Sequence, residues 1–371
     1  MPWFRLVLGT LLLSSSSAWA EWAVNMTPGV TAISREIYSL HMIIFWVCVV
    51  IGVVVFGVMF WSVFAHRKSK GAKSAQFHES TTVELIWTTI PFVILIAMAI
   101  PATKTLVKIY DSKESVIDVK ITGYQWKWRY DYLNDGFGFF SNLSTAQDEI
   151  YNKTPKGEHY LLEVDEPLVV PVNTKVRFLI TANDVIHSWW VPAIAVKKDA
   201  IPGFVNESWT IIEEPGVYRG QCAELCGKDH GFMPIVVVAK EQAEYDVWVA
   251  ERKAAASAEA GLKDKAWTAE ELMARGEKTY ATFCAACHGA EGNGVPPVFP
   301  ALKGSQIALG DKSAHLNLVI NGKAGTAMAA FGSQLSEVDL AAVITYERNA
   351  WGNDTGDVIQ PVDITNFKAA Q

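Results

Sequence analysis

Hydrophobic and polar positions alternate along this chain with four different rhythms. Residues 1–20, MPWFRLVLGTLLLSSSSAWA, place Arg5 before a short apolar run that ends in the small-x-small triplet Ala18-Trp19-Ala20. This pattern predicts a signal peptide, with cleavage expected after Ala20. Residues 40–64 are almost uninterruptedly apolar, long enough for a bilayer crossing of about 20 residues. A second span is predicted over about 85–107, with Pro91 and Pro101 inside it. Membrane helices tolerate proline where neighbours satisfy the freed carbonyls. Arg67, Lys68, Lys70 and Lys73 lie between the two runs, which predicts a cytoplasmic loop and an exported remainder.

From residue 115 to about 238 the rhythm changes to short alternating runs such as VIDVKITGYQWKWRYDYL, TKVRFLITA and MPIVVVA, punctuated by Pro, Gly, Asn and Asp. Such spacing predicts a β-sandwich or barrel over 111–250. Residues 251–266 are rich in Ala and charge and are expected to be a linker, with a helix as the alternative. A third region, 267–353, begins with the amphipathic stretch TAEELMARGEKTYATFCAACHG. Thr268 there is a candidate N-cap and Glu271 completes a capping box. The region closes with a second helical stretch, SEVDLAAVITYERNAW, capped by Ser336. Residues 354–371 are expected to be a tail. The prediction is therefore multi-domain: two transmembrane helices, a β-sandwich and an all-α domain.

Composition narrows the function. Half of the 371 residues are apolar and the net charge is −7, which argues against nucleic-acid binding. No Walker loop, GxGxxG turn or G-x-S-x-G elbow occurs, so nucleotide and serine-hydrolase chemistry has no support. Residues 111–250 hold 21 acidic and 13 basic side chains. That is ordinarily a solvated surface, and it would also steer a basic partner.

Five cysteines occur. Cys48 sits in an apolar run as a small hydrophobe, and the other four form two close pairs. Cys284-Ala-Ala-Cys287-His288 is the attachment pattern of a c-type haem, with the thiols adding to the vinyl groups and the histidine reaching the iron. Met328, in GTAMAAF, is the candidate second axial ligand, since a thioether raises the potential of a His-ligated iron. His315 is the alternative. In QCAELCGKDHGFMPI, Cys222 and Cys226 are joined by His230 and Met233, the soft donor kit of copper electron-transfer sites, and His187 is a second imidazole. Two thiolates, two histidines and a methionine exceed what one copper needs and suit two. A Cys222–Cys226 disulfide or a thiol-redox copper chaperone are the alternatives.

Residues 25–250 resemble subunit II of the haem-copper cytochrome c oxidases, through TTVELIWTTIPFVIL, GYQWKWRY, LLEVDEPLVVP, DVIHSWWVPAIAVKKDAIPG and CAELCGKDHGFMPIVV. The resemblance implies a cupredoxin-like sandwich carrying the dinuclear copper centre CuA. It implies that His187, Cys222, Cys226, His230 and Met233 are side-chain ligands, with Glu224 giving its carbonyl. The Glu224 carboxylate would share a magnesium ion with subunit I. Trp126 matches the aromatic residue that takes electrons from an external cytochrome c, against simple strand packing. Glu84 matches the mouth of a proton-uptake channel, against a helix-terminal acid. Residues 267–353 resemble class I cytochrome c, departing from many relatives at Ala329.

Together these imply an electron-accepting subunit of the caa3 kind in a bacterial plasma membrane. It would partner subunit I, where oxygen is reduced, and subunit III, with a soluble cytochrome c as possible donor. Different readings are a membrane-anchored copper chaperone, the quinol-oxidase version of this subunit, and the corresponding subunit of a nitrogen-oxide reductase. The quinol version lacks the copper ligands that this chain has.

Overall fold

The structure is a computed structural model that describes residues 25–73 and 78–371. The predicted signal peptide lies outside the described residues. Helix α1 (Ala32–Ala65) and helix α2 (Thr81–Ile109) are the two apolar helices. Both are longer than the apolar runs, because polar caps extend them. Thr31 caps α1 through a reciprocal bond with Ser34. Large apolar side chains on both helices remain exposed, Val53, Trp61, Leu95 and Val107 among them. That is the surface a lipid environment would cover. At one end Glu36 of α1 accepts hydrogen bonds from Thr105 at 2.7 Å and Lys108 at 2.8 Å, both on α2.

Ten strands follow: β1 (Ile117–Tyr124), β2 (Lys127–Tyr132), β3 (Phe137–Ser141), β4 (Leu168–Pro171), β5 (Val176–Ala182), β6 (His187–Val191), β7 (Val196–Ala200), β8 (Asn206–Thr210), β9 (Gly216–Cys222) and β10 (Pro234–Lys240). They form two five-stranded sheets in the orders β3-β2-β1-β5-β8 and β4-β10-β9-β6-β7. β1 pairs with β5 in parallel, as β4 does with β10. Burial in β5 alternates strictly from Val176 to Ala182, the two-residue period that puts every second side chain between the sheets. Val119, Ile121, Trp128, Phe178, Ile180, Trp189, Ile235 and Val237 fill that core.

Helix α3 (Gln242–Gly261) continues directly from β10. The stretch expected to be a linker is therefore helical as far as Gly261, followed by a short 3-10 turn, Leu262–Asp264. Four alanines between residues 254 and 258 favour helix, and charged partners fix both ends. Arg252 pairs with Glu166 of the sandwich, and Glu259 pairs with Arg275 beyond the turn.

The last domain contains α4 (Ala269–Phe283), the turn Ala285–His288, α5 (Lys312–Asn321), α6 (Glu337–Asn349) and α7 (Pro361–Ala369). The capping box expected at Thr268 and Glu271 is formed. Gly276 lets α4 cross α6 closely, since an added Cβ would meet the Ala342 carbonyl oxygen at 2.2 Å. The segment expected to be a tail instead makes α7. Its Ile364 is fully buried in this second core, and Lys368 pairs with Glu337. The reason is local: Pro361 starts the helix, and Gln360 with Asp363 closes a capping box.

Candidate electron-transfer sites

The first site lies at one end of the sandwich. β9 ends at Cys222, β10 starts after Met233, and β6 begins with His187. Pairing of Trp189 with Cys222 across β6 and β9 brings His187 beside the 222–233 loop. The Cys222 and Cys226 sulfurs are 3.9 Å apart, far beyond the S–S bond length of about 2.0 Å. Nδ1 of His187 is 4.0 Å from the Cys222 sulfur, and Nδ1 of His230 is 3.5 Å from the Cys226 sulfur. The Met233 thioether lies 3.5 Å from Cys226, and the Glu224 carbonyl 3.4 Å from Cys222. Every donor that the sequence singled out for copper is thus drawn around the two sulfurs. Cys222, Cys226, His187 and Met233 are buried, whereas Glu224 is exposed.

Side chains that carry no donor atom hold this set. Nε2 of His187 lies 2.9 Å from Asp184, which leaves Nδ1 to face the sulfurs. Gly123 is required beneath the ring, since a Cβ there would stand 2.8 Å from His187 Cδ2. Trp128 donates to the Met233 carbonyl at 3.2 Å. Gln125 and Trp126 both donate to the Cys226 carbonyl, at 2.8 and 3.1 Å. The hydrogen bond between the two thiols lowers the Cys222 pKa from its ordinary value and raises that of Cys226. Burial disfavours the charged His187 ring, but hydrogen bonds to Asp184 and Cys222 outweigh it and raise its pKa. Sequence reasoning missed Asp184, although an acid three residues before the histidine was visible in NDVIHSWW.

The second site is a cavity of about 300 Å³ in the helical domain. Cys284, Cys287, His288 and Met328 all line it, with Phe299, Leu302 and Val343 as apolar wall. His288 Nδ1 contacts the Pro300 carbonyl at 2.8 Å, which frees Nε2 for a metal. His315 also lines the cavity, but its Nε2 is 2.9 Å from Glu347 and both side chains are buried. An apolar cavity with two thiols at its edge and an oriented imidazole fits a covalently held haem.

Of the remaining candidates, Glu84 lies in the first turn of α2, and Trp126 is half-buried at the copper-ligand end of the sandwich.

Residues 117–240 match the family described as cytochrome c oxidase subunit II, periplasmic domain, and residues 19–105 match its transmembrane domain. A probable cytochrome c oxidase subunit 2 from Rickettsia bellii is 35% identical over 257 residues, covering 68% of this chain and 94% of that protein. The chain belongs to the cytochrome c oxidase subunit II family. The Arabidopsis thaliana subunit 2 is 36% identical over 242 residues, covering 64% of this chain and 92% of that protein. The periplasmic domain of subunit II from Bradyrhizobium japonicum is 43% identical, covering 38% of this chain and 96% of that one, with a TM-score of 0.35. Residues 262–346 match the family described as cytochrome c oxidase, cbb3-type, subunit III. The subunit II body therefore carries a fused cytochrome c domain, and the chain is a component of a haem-copper oxidase.

Proposed function

We propose that this chain is the electron-accepting subunit of an aa3-type oxidase of the caa3 kind, held in a bacterial plasma membrane with both soluble domains on the outer side. When bound, the haem and the copper pair supply two one-electron couples through which electrons pass from the helical domain to the sandwich and on to subunit I, where oxygen is reduced to water and protons are translocated. The observation that carries this reading is the convergence of four further donors around two unbonded sulfurs 3.9 Å apart, in a chain that also presents CAACH to a cavity.

The residues divide the work. Cys222, Cys226, His187, His230, Met233 and the Glu224 carbonyl would hold the copper pair. Burial of Cys222, Cys226, His187 and Met233 excludes water and keeps these donors fixed, so little rearrangement would accompany a change of charge. Cys284 and Cys287 would hold the haem covalently, and His288 and Met328, which line the same cavity, would supply its iron with an imidazole and a thioether. The exposed Glu224 carboxylate is free to share a magnesium ion with subunit I. Glu84, at the helix end nearest the basic loop, stands where protons would be taken up. Subunit III and a soluble cytochrome c donor complete the expected partners.

The test is metal and haem analysis of the full chain, purified in detergent after copper loading under reducing conditions. Two copper ions and one covalent haem per chain are expected, together with a mixed-valence copper signal. Absence of copper uptake, with reversible Cys222–Cys226 disulfide formation instead, would replace this reading by the thiol-redox chaperone.

A further inference from the structure

The helical domain does not hang from a flexible tether. Helix α3 leaves β10 directly and is tied to the sandwich at its middle, through Arg252 with Glu166 and Lys253 with Asp135 at 3.3 Å. At its other end Glu259 pairs with Arg275 of α4. A strut that grows out of one domain and is pinned to both sets an orientation as well as a distance.

That orientation brings the haem-attachment turn onto the copper-ligand end of the sandwich at two points. Phe283, the residue before Cys284, meets Phe140 of β3 edge-on, with ring centroids 5.1 Å apart. The Lys127 ammonium lies 3.9 Å from the centre of the Phe283 ring. On the other side, Lys228 donates from Nζ to the carbonyl of Ala286, inside CAACH, at 2.8 Å. Its ammonium also lies 5.6 Å from the Trp126 ring centre and 5.8 Å from that of Phe299, a wall residue of the haem cavity. Asp229 is its ion-pair partner at 3.4 Å. Lys228 stands inside the copper-ligand loop, midway between Cys226 and His230. Trp126 is bracketed by both contact points and bonds to the Cys226 carbonyl. Gly227 lies so close to it that an added Cβ would stand 2.9 Å from Trp126 Cζ2.

We propose that Lys228 is a positioning residue that latches the CAACH turn of this chain onto the face around Trp126, so that the fused domain occupies the surface where a separate cytochrome c would otherwise dock. This rests on the proposed electron-accepting role and deepens it. Lys228 is suited to the task because one ammonium group donates to a carbonyl and rests on two aromatic faces at once. An external donor then has to dock on the helical domain, and Trp126 serves the internal transfer. In that transfer one electron leaves the haem iron and one arrives at the copper pair, with no bond made or broken.

The experiment compares the full chain, loaded with both cofactors, with its Lys228→Met and Lys228→Arg variants. The readouts are hydrogen exchange of residues 283–289, hydroxyl-radical oxidation of Trp126, and the rate at which a flash-reduced haem passes its electron to the copper pair. Lys228→Met is expected to raise exchange and Trp126 oxidation by about tenfold and to slow the transfer, with Lys228→Arg restoring most of each. Should Lys228→Met lose copper, Phe140→Ala removes the other contact from outside the ligand loop and carries the same expectation. Unchanged exchange and oxidation in a variant that keeps both cofactor spectra would overturn the latch and leave the function standing. Missing spectra in the unsubstituted chain would overturn the function itself.

Discussion

Asp184 contributes no donor atom to the copper site, yet it decides which nitrogen of His187 faces the sulfurs. Removing such a partner typically costs about 10–100-fold in metal affinity. Asp184→Asn is therefore expected to weaken copper binding by that range, checked by competition against a chelator. Met328 makes the complementary case in the haem cavity. Met328→Ala removes the thioether and is expected to lower the haem potential, and an unchanged value in a redox titration would dismiss it as a ligand. The donor residues were readable because four of them crowd into one loop at short spacing. His187 lies 35 residues before Cys222 and entered as the second imidazole that a two-copper set calls for, with no spacing to tie it to the loop. Asp184 and Gly123 were invisible as participants, because their roles depend on how one imidazole ring is turned.

At the scale of elements, α3 shows where composition is ambiguous. An Ala-rich, charged stretch satisfies the description of a linker as well as that of a helix. Its contacts to the domains on either side, Arg252 with Glu166 and Glu259 with Arg275, settle the matter in the folded chain. Ala255 is exposed in the middle of the strut, so Ala255→Pro tests the helix without disturbing either core. It is expected to destabilise α3 by about 3 kcal/mol and to open residues 254–262 to limited proteolysis. The C-terminal segment teaches the same lesson. Pro361 and Ile364 alone are buried in α7, too sparse an apolar pattern to read as a docked helix in the sequence. The long apolar runs and the two-residue alternation, by contrast, were readable because their periods are set by bilayer thickness and by sheet geometry.

At the scale of the whole molecule, the two soluble domains meet over a buried cation. Burial pulls the Lys127 ammonium down from 10.5 to about 8, while Cys284, Cys287 and Asp184 work in the opposite direction. The unfolded chain keeps this proton to higher pH than the folded one, so the unfolded state binds more protons between about 8 and 10.5, and stability rises with pH across that window. Below pH 8 both states are charged, and the folded state carries a constant cost of about 3 kcal/mol. Lys127→Met is expected to raise the denaturant midpoint of the sandwich at pH 7 and to flatten its rise above pH 8. Local patterns of sequence settled the parts of this protein, two spans, a sandwich and a helical domain, and singled out the residues proposed as donors for copper and haem. Those follow from hydrophobic period and from ligand chemistry, both written in residues close along the chain. How the parts stand to one another was decided only in three dimensions. The pairing that draws His187 to the sulfurs, the strut that aims the helical domain and the lysine between them all join residues that the sequence keeps far apart.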